Sequence, residues 1–277
     1  MRPTEWIQLG IAAFFAIAAW ATVLGPRPLP VRRRWIVTTL AAVAAIVIAA
    51  AHAIKPHLAA DSYSVMLDIL TACLFLVPYW QTGQFFLGPN EKLQSRLLAI
   101  DQRLLPRAST TSGTSRNPIG LLLEMAYLSC YPLVPVGLLA VYVFGLRDKA
   151  PGFWLVLMLA TYFCYATTPL VPAFPPRSLI TAPADATTPV GKTRLFNLFI
   201  LKHGSIHAIS FPSAHVASAF AIAFVFLHYA PLVGLAFLIV AIMISLGAVI
   251  GRYHFALDVI LGAITALAVF LACLHWL

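Results

Sequence analysis

Eight runs of about 20 apolar residues follow one another along this 277-residue chain. A run of that length matches the hydrocarbon core of a bilayer, where backbone groups find no water to bond. Only helices or a closed barrel can then span the membrane, and the absence of apolar–polar alternation excludes the barrel. The predicted fold class is therefore all-α, a polytopic integral membrane helical bundle with about eight transmembrane helices. The predicted spans are Glu5–Leu24, Trp35–Ile54, Tyr63–Trp80, Ile119–Phe144, Gly152–Leu170, Ser213–Tyr229, Leu232–Ile250 and Ala256–Trp276.

The composition points to the same class. The chain is 61% apolar and 10% charged, whereas soluble domains average roughly 45–50% and about 25%. Its net charge of +9 comes from cations clustered at 27–34, 92–116 and 177–202, which suit anionic lipid headgroups or a phosphorylated substrate better than nucleic acid. No nucleic acid partner is predicted. The four cysteines lie inside predicted spans without a C-x-x-C motif, so we interpret them as packing residues.

Two connections between spans are long enough to have structure of their own. Residues 90–105 place leucine and isoleucine at helical spacing against charged positions, which predicts an interfacial amphipathic helix. Residues 171–211, which we call the catalytic loop, are expected to contain an ordered segment that dips into the membrane interface. The first apolar run is too long for a signal-peptide core, so we expect it to persist as a helix.

Counting the spans from the N-terminus places three separated segments at the same face of the membrane. His254 and Asp258 are four residues apart, which places them on one side of a helix. A carboxylate in that position fixes the imidazole tautomer and makes the other ring nitrogen a better nucleophile. We predict His254 as the nucleophile, Asp258 as its orienting group, and His215 as the acid that protonates the leaving alkoxide and then activates the acceptor.

The same face carries residues suited to binding phosphate. The sixth span begins at Ser213, where free backbone N–H groups and the positive end of a helix dipole attract anions. Arg177 and Arg252 can bind nonbridging oxygens with their forked donors and neutralise developing charge. Arg177, Ser213 and Arg252 are therefore the predicted phosphate-binding residues.

The motifs around the two histidines resemble those of the type 2 phosphatidic acid phosphatase (PAP2) superfamily of membrane phosphatases and phosphotransferases. Its P-S-G/A-H signature matches residues 212–215, and the H-x3-D end of its third signature matches His254 and Asp258. The resemblance implies a phosphohistidine at His254, acid and base catalysis by His215, support of the nucleophile by Asp258, and no metal. It covers residues 63–277 with a six-helix PAP2-like core, and it leaves 1–62 as two additional N-terminal transmembrane helices.

The chain departs from the family's pattern in its phosphate-binding positions. Of the first signature, K-x6-R-P, only Arg177 is kept, with Leu170 and Ser178 in the lysine and proline positions. The arginine expected six residues before the third-signature histidine is Ala248, and Arg252 is the obvious substitute. With the two leading helices, the Pro-Pro-Arg and Arg-Tyr-His sequences resemble the branch that contains inositol phosphorylceramide synthases.

Other polar residues have less specific interpretations. Four histidines near the ends of spans are expected to be packed or interfacial side chains, because polar tips meet lipid headgroups there: His52, His57, His228 and His275. His203 and His207 could bind a metal with His215, but no carboxylate or cysteine stands at ligand spacing, so no metal or cofactor is predicted.

Two acids and three cations stay open. Glu124 and Asp68 lie within spans, where an acid suggests function, but a structural hydrogen bond is an equal alternative for Glu124. Three cations of the catalytic loop are most simply interpreted as interfacial charges, although one of them could replace the first-signature lysine, whose position is occupied by Leu170. They are Lys192, Arg194 and Lys202.

The preferred function is hydrolysis of a phosphorylated lipid by a membrane lipid phosphatase. The alternatives are transfer of a phospho-headgroup to a second lipid alcohol, as in inositol phosphorylceramide synthases, and phospholipid binding without catalysis. The expected partners are a phosphorylated lipid substrate and membrane lipids. We predict a multi-pass protein of the cell (inner) membrane with its site at a membrane–water interface. The arginines at 27–34 favour the cytoplasmic face, whereas the resemblance favours the outer or lumenal side.

Overall fold

The computed structural model describes residues 1–25, 27–105, 118–179, 191–206 and 208–277. These residues form helices α1 to α12 and no β-strand, which confirms the all-α class. The helices are α1 (Pro3–Ala21), α2 (Val31–Ala53), α3 (Ala60–Leu74), α4 (Val77–Gly83), α5 (Glu91–Leu104), α6 (Pro118–Leu128), α7 (Leu133–Val143), α8 (Ala150–Thr167), α9 (Lys192–Gly204), α10 (Ala214–Tyr229), α11 (Pro231–Ile250) and α12 (Ala256–Cys273).

The apolar helices match the eight predicted spans. Six segments are long and apolar enough to cross a membrane: Pro3–Leu24, Val31–Ala53, Ala60–Gly83, Arg147–Leu170, Pro231–Ile250 and Ala256–Trp276. The bent pair α6–α7 meets the same criteria of length and apolarity when its two helices are counted as one span. The eighth, α10, has 16 residues and is about 24 Å long at 1.5 Å per residue, somewhat less than a hydrocarbon core of roughly 30 Å. A multi-pass membrane bundle is therefore confirmed.

The fourth predicted span is broken rather than straight. Helices α6 and α7 meet at an angle of 73° across residues 129–132. Pro132 and Pro135 explain the break, because proline has no N–H to donate and its ring clashes with the preceding turn. The break leaves Tyr131 between the two helices, on the side of the bundle that faces α10.

Helix α8 lies at the centre of the bundle. Its most apolar stretch is 61% buried, compared with 22–28% for the other long spans. It packs against α1, α10 and α12, and the side chains of Phe153, Trp154 and Leu157 are fully buried there. Since lipid is as apolar as these side chains, close van der Waals packing holds such helices together.

Buried amides attach the two N-terminal helices to the rest of the bundle. The Gln81 side chain of α4 donates to the carbonyls of Ala12 in α1 and Val37 in α2, at 3.1 and 3.0 Å. The Gln8 side chain of α1 donates to the carbonyl of Leu74 at the end of α3, at 3.0 Å. Such interhelical hydrogen bonds stabilise helix contacts within a membrane. A domain boundary near residue 62 stays a prediction.

The bundle has two ends, and the candidate residues lie at one of them. At the end that we call the opposite end, Arg147 pairs with Asp61 across two connections, and the Tyr229 hydroxyl donates to the Leu277 carbonyl. The site end contains the connections 84–90 and 251–255 and the described parts of a third connection, 168–179, 191–206 and 208–213, together with α5. Three chain segments therefore converge at the site end, as the counting of spans predicts.

The predicted amphipathic helix exists as α5 and is fixed to the catalytic loop. The Asn90 side chain accepts from Leu93 N–H at 3.2 Å and so caps the helix. Asn90 N–H donates to the Pro172 carbonyl at 2.8 Å, and the Gln94 side chain accepts from Phe174 N–H at 3.0 Å. These bonds hold α5 along the loop that carries Arg177.

Candidate active site

The candidate nucleophile lies in a tight turn, residues 251–255, between α11 and α12, which we call the catalytic turn. Its Tyr253 and His254 N–H groups both donate to the Ala248 carbonyl, at 2.9 and 3.0 Å. Arg252 has a φ of 60°, a left-handed conformation that costs energy in a residue with a side chain. A Cβ on Gly251 would lie 2.4 Å from the Tyr253 ring, so the turn requires glycine there.

His254 and Asp258 form the predicted pair. His254 Nδ1 lies 3.0 Å from Asp258 Oδ2, and the two side chains are only 6% and 0% exposed. This spacing follows from the start of α12, whose first turn brings residues four apart together. With Nδ1 bonded to the carboxylate, Nε2 is the ring nitrogen that remains for chemistry.

His215 faces this pair from the first turn of α10. The centroids of the two imidazole rings are 5.5 Å apart, and the rings of Tyr127 and Tyr131 lie 6.0 Å from His215. The start of α10 is fixed directly to α12, because Ser213 N–H donates to the Asp258 carbonyl at 2.9 Å. The two predicted catalytic histidines are therefore neighbours across a helix–helix contact.

A glycine permits the helices to approach this closely. A Cβ on Gly262 of α12 would lie 2.6 Å from the Ser213 carbonyl oxygen. That distance is shorter than any real contact of this kind, so only glycine allows α12 to pack directly against the backbone before α10. Small residues have this use at helix contacts in membranes.

Arg177 reaches the site from the catalytic loop. Its backbone N–H donates to the Arg252 carbonyl at 2.9 Å, and its guanidinium lies 3.4 Å from the Tyr253 carbonyl and 5.7 Å from the centre of the Tyr253 ring. Burial lowers the pKa of Arg177, but a guanidinium stays protonated at any physiological pH. It therefore supplies a permanent positive charge beside the histidines.

These groups border one small cavity at the site end. Its volume is about 30 Å³, and its lining includes both histidines with Arg177, Ser210, Tyr127 and Tyr253. Ser210, whose hydroxyl accepts from Ala214 N–H at 3.2 Å, was not predicted as a site residue.

Burial lowers the pKa of His254 to about 3, and the positive charge of Arg177 acts in the same direction. An ionised Asp258 opposes both effects, because a neighbouring negative charge favours the imidazolium. Burial has the larger effect, and His254 is neutral at neutral pH. A neutral imidazole is the form that can attack phosphorus.

Each of three consecutive residues in the catalytic turn is bonded to a carboxylate from a different helix. Arg252 Nη1 lies 2.7 Å from Asp101 Oδ2 of α5. The Tyr253 hydroxyl donates to Glu124 Oε2 of α6. His254 bonds Asp258 of α12.

Asp101 also accepts from Ala256 N–H, at 2.8 Å. It therefore satisfies one of the N–H groups that the first turn of α12 leaves without a helical partner. The turn is in this way held from three sides.

Glu124 is the centre of a buried network that settles its geometry. Arg194 of α9 donates to Glu124 Oε1 and to the Gly251 carbonyl, each at 2.8 Å. Asn197 donates to Glu124 Oε2 at 2.7 Å. The Arg194 guanidinium also lies 5.0 Å from the centre of the Tyr253 ring. The hydrogen bonds of Glu124 therefore link α6 and α9 to the catalytic turn. These contacts fit the structural hydrogen bond that the sequence leaves as an alternative to a catalytic role for Glu124.

Two of the predicted phosphate-binding residues contact protein groups. The Arg252 guanidinium is bonded to Asp101, and Ser213 is buried with its N–H bonded to the Asp258 carbonyl. Among the described residues, neither of the two lines the small cavity that Arg177 and the histidines border. Phosphate binding by Arg252 and Ser213 stays a prediction. Of the three predicted phosphate-binding residues, Arg177 is the one that lines the cavity.

Asp101, which contacts Arg252 and Ala256 beside the candidate site, is not among the residues predicted from the sequence. It lies four residues after Leu97, on the buried side of the amphipathic helix. An acid in the middle of an apolar helix face needs a partner, and this signal was present in the sequence. Its partner could not be predicted, because Arg252 is 151 residues away.

The other polar residues lie apart from the cavity. Lys192 and Lys202 are exposed on α9, and His203 bonds the Phe199 carbonyl at 2.9 Å. His207 lies outside the described residues. Within the described ranges, no group of three His, Cys, Asp or Glu side chains is placed to hold a metal ion. Asp68 lies at the opposite end, where it pairs with Arg2.

Two histidines, one of them bonded to a carboxylate, and an arginine thus border one small cavity of a helical membrane bundle. The model of the PAP2 superfamily matches residues 95–272, more than half of the chain, and the protein belongs to this superfamily. Membership supports phosphatase- or phosphotransferase-type activity on a phosphorylated substrate. No curated protein and no solved structure matches the chain. Assignment to the inositol phosphorylceramide synthase-like branch stays a prediction.

Proposed function

We propose that this protein is a membrane enzyme that hydrolyses a phosphorylated lipid through a phosphohistidine. The observation that carries the proposal is the His254–Asp258 bond of 3.0 Å with His215 at 5.5 Å between ring centroids and Arg177 on the same cavity. A nucleophile, its orienting group, a proton carrier and a cation are the parts that such a displacement needs.

In the first step, His254 Nε2 attacks phosphorus while the bond from phosphorus to the lipid oxygen breaks. His215, as an imidazolium, gives its proton to the departing oxygen, so that a lipid alcohol leaves and His254 carries the phosphoryl group. The positive charge that this forms on the His254 ring is stabilised by Asp258 at Nδ1. Arg177 neutralises charge on the nonbridging oxygens.

In the second step, neutral His215 takes a proton from water as the water oxygen attacks phosphorus. The P–N bond breaks, His254 returns to its neutral form, and inorganic phosphate leaves. Microscopic reversibility makes His215 the acid in one step and the base in the other. A lipid alcohol in place of water would turn the same machinery into a phosphotransferase.

A lipid substrate suits the position of the cavity. The site lies where α10 and α12 begin and α11 ends, at the boundary between membrane-spanning helices and the catalytic loop. A phosphate on a lipid headgroup reaches this depth while the rest of the molecule stays in the bilayer.

The test is an assay of purified protein with phosphatidate, with polyprenyl diphosphate, and with phosphatidylinositol plus ceramide. Free phosphate identifies hydrolysis and a new phospholipid identifies transfer. A phosphoenzyme that is acid-labile, alkali-stable and absent from His254→Asn identifies the intermediate. His228→Asn at the opposite end is the matched control. If binding occurs with no release, no transfer and no phosphoenzyme, the protein is a non-catalytic phospholipid binder and the proposal fails.

A further inference from the structure

An apolar groove runs beside the candidate active site within the membrane-spanning part of the bundle. Its volume is about 730 Å³, and it lies between α3, the bent pair α6–α7, α8 and α10. The residues that line it include Ile69 and Ala72 of α3, Tyr131 at the break, Leu139 and Tyr142 of α7, and His215 of α10. Most of this lining is hydrocarbon, so the groove suits an apolar occupant.

His215 connects the groove with the active-site cavity, because it lines both. Its ring is only partly buried, whereas that of His254 is buried. Tyr131 stands beside His215 at a centroid distance of 6.0 Å, in the break between α6 and α7. The bend of 73° therefore places the groove and the proposed acid next to one another.

The groove extends from His215 towards the opposite end along α7. Its lining on this helix runs from Val134 to Tyr142, which is about 12 Å at 1.5 Å per residue. Tyr142 donates to Asp68 at 2.5 Å, so a polar pair stands at the far end. Polar groups thus lie at the two ends of the groove and hydrocarbon lies between them.

The edges of the groove face the bilayer. Ile69 on α3 and Leu139 on α7 are 54% and 62% exposed in the isolated chain. Exposed aliphatic side chains on membrane-spanning helices contact lipid. A chain can therefore enter the groove sideways from the membrane without crossing water.

We propose that the hydrocarbon tail of the phosphorylated substrate lies in this groove while its phosphate extends past His215 to His254. The inference rests on the proposed function and adds to it a tail-binding site on α3 and α7. An occupant of the groove must be apolar along its length and place a reacting group at His215, and a lipid phosphate has this distribution of polarity. The groove makes the enzyme selective for phosphates that carry a long chain.

The test compares a long-chain lipid phosphate with para-nitrophenyl phosphate, which has no tail. Ala72→Trp fills the groove from α3, and Ala236→Trp adds the same side chain to an exposed position of α11 outside the groove. We expect Ala72→Trp to lower kcat/KM for the long-chain substrate at least tenfold and to change kcat/KM for para-nitrophenyl phosphate less than twofold. Ala236→Trp should leave both values unchanged.

A binding measurement tests the groove without requiring turnover and without requiring that Ala72→Trp folds. A lipid phosphate with a photoreactive group in mid-chain is irradiated with the inactive His254→Asn protein, and the labelled peptides are identified by mass spectrometry. Labels on residues 65–76 and 134–142 support the groove. Labels confined to other lipid-facing helices, cross-links between two copies of the chain through the groove, or equal losses with both substrates overturn it. If the labels lie in the groove but no phosphate is released, the proposed function fails and the binding site stands.

Discussion

Two histidine–carboxylate pairs lie at the two ends of this bundle, and they differ in what the second nitrogen of the imidazole ring contacts. At the opposite end, His52 bonds Glu5 through Nε2 at 2.9 Å and the Tyr63 hydroxyl through Nδ1 at 3.0 Å. At the site end, His254 bonds Asp258 through Nδ1 and borders a cavity that also contains Arg177. A pair bonded through both nitrogens connects helices, whereas a pair with one nitrogen at a cavity can do chemistry.

The acids at the two ends are also arranged differently. Asp68 bonds Arg2 at 2.9 Å and the Tyr142 hydroxyl at 2.5 Å, and so joins the start of α1 to α3 and α7. At the site end, three acids bond three consecutive residues of one turn. The same residue types therefore serve assembly at one end and the precise placement of a single side chain at the other.

The largest expected contrast is between the two histidines. His254→Asn should lower turnover by about 10³-fold or more, because the attacking nitrogen is lost. His52→Asn should stay within about threefold of the wild type. Phosphate release from a lipid phosphate, at equal amounts of folded protein, measures both. Equal losses in the two variants would show that the nitrogen at the cavity has no special role.

Their acidic partners should follow with a smaller but still large contrast. Asp258→Asn should lower kcat by on the order of 10²- to 10⁴-fold, since an amide can no longer hold the correct tautomer or stabilise the imidazolium. Asp68→Asn should reduce thermal stability and leave kcat within a few-fold. Steady-state kinetics and thermal unfolding in the same detergent separate the two effects. A normal phosphoenzyme level in Asp258→Asn would contradict the orienting role.

The tyrosines test whether the bonds to the catalytic turn position His254. Tyr253→Phe removes one hydroxyl and its bond to Glu124, and we expect kcat to fall about 3- to 30-fold with little change in KM, because small displacements of a nucleophile reduce rate. Tyr63→Phe, which removes the corresponding hydroxyl beside His52, is the control and should change neither value. A rise in KM at constant kcat would indicate a role in substrate binding instead.

The smallest expected effect is the loss of kcat/KM that protonation of His254 causes as pH falls, because His215, the proposed acid, gains its proton over the same range and does not cause such a loss. Because the pKa of His254 is lowered to about 3, the nucleophile stays neutral as pH falls from 7 to 5, and its protonation should cost kcat/KM less than twofold. An imidazole with the ordinary pKa near 6.5 would lose about 25-fold over this range. The profile is measured with a substrate whose own phosphate ionisation is determined separately. A steep loss with a midpoint near 6.5 would show that His254 is solvated in the working enzyme.

The spans and the chemical pairs could be predicted from the sequence because they depend on local patterns. Runs of 20 apolar residues identify membrane helices, and the spacing of four between His254 and Asp258 gives their contact as soon as α12 begins. The position of Arg177 followed from counting the crossings. Each of these inferences needs only neighbouring residues or the order of the helices.

The supporting residues could not be predicted because they depend on contacts between distant segments. Asp101 of α5 and Arg252 of the catalytic turn meet only in the folded bundle, and Glu124 meets Arg194 and Tyr253 in the same way. The groove depends on the angle at the break in the fourth span, and prolines predict a break without its direction. The position of Arg252 two residues before His254 predicts a phosphate ligand. The sequence does not predict its bond to Asp101, and phosphate binding by Arg252 stays a prediction.

Gly262 limits which substitutions the sequence of this protein tolerates. Its missing side chain is the space in which the Ser213 carbonyl lies, and Ser213 stands two residues before His215 and is bonded to the backbone of Asp258. Any added carbon there pushes α10 away from α12 and separates the two histidines. Since a shift of about 1 Å can cost a hundredfold in rate, substitutions at this remote, chemically inert position should be as poorly tolerated as substitutions of the reacting groups themselves.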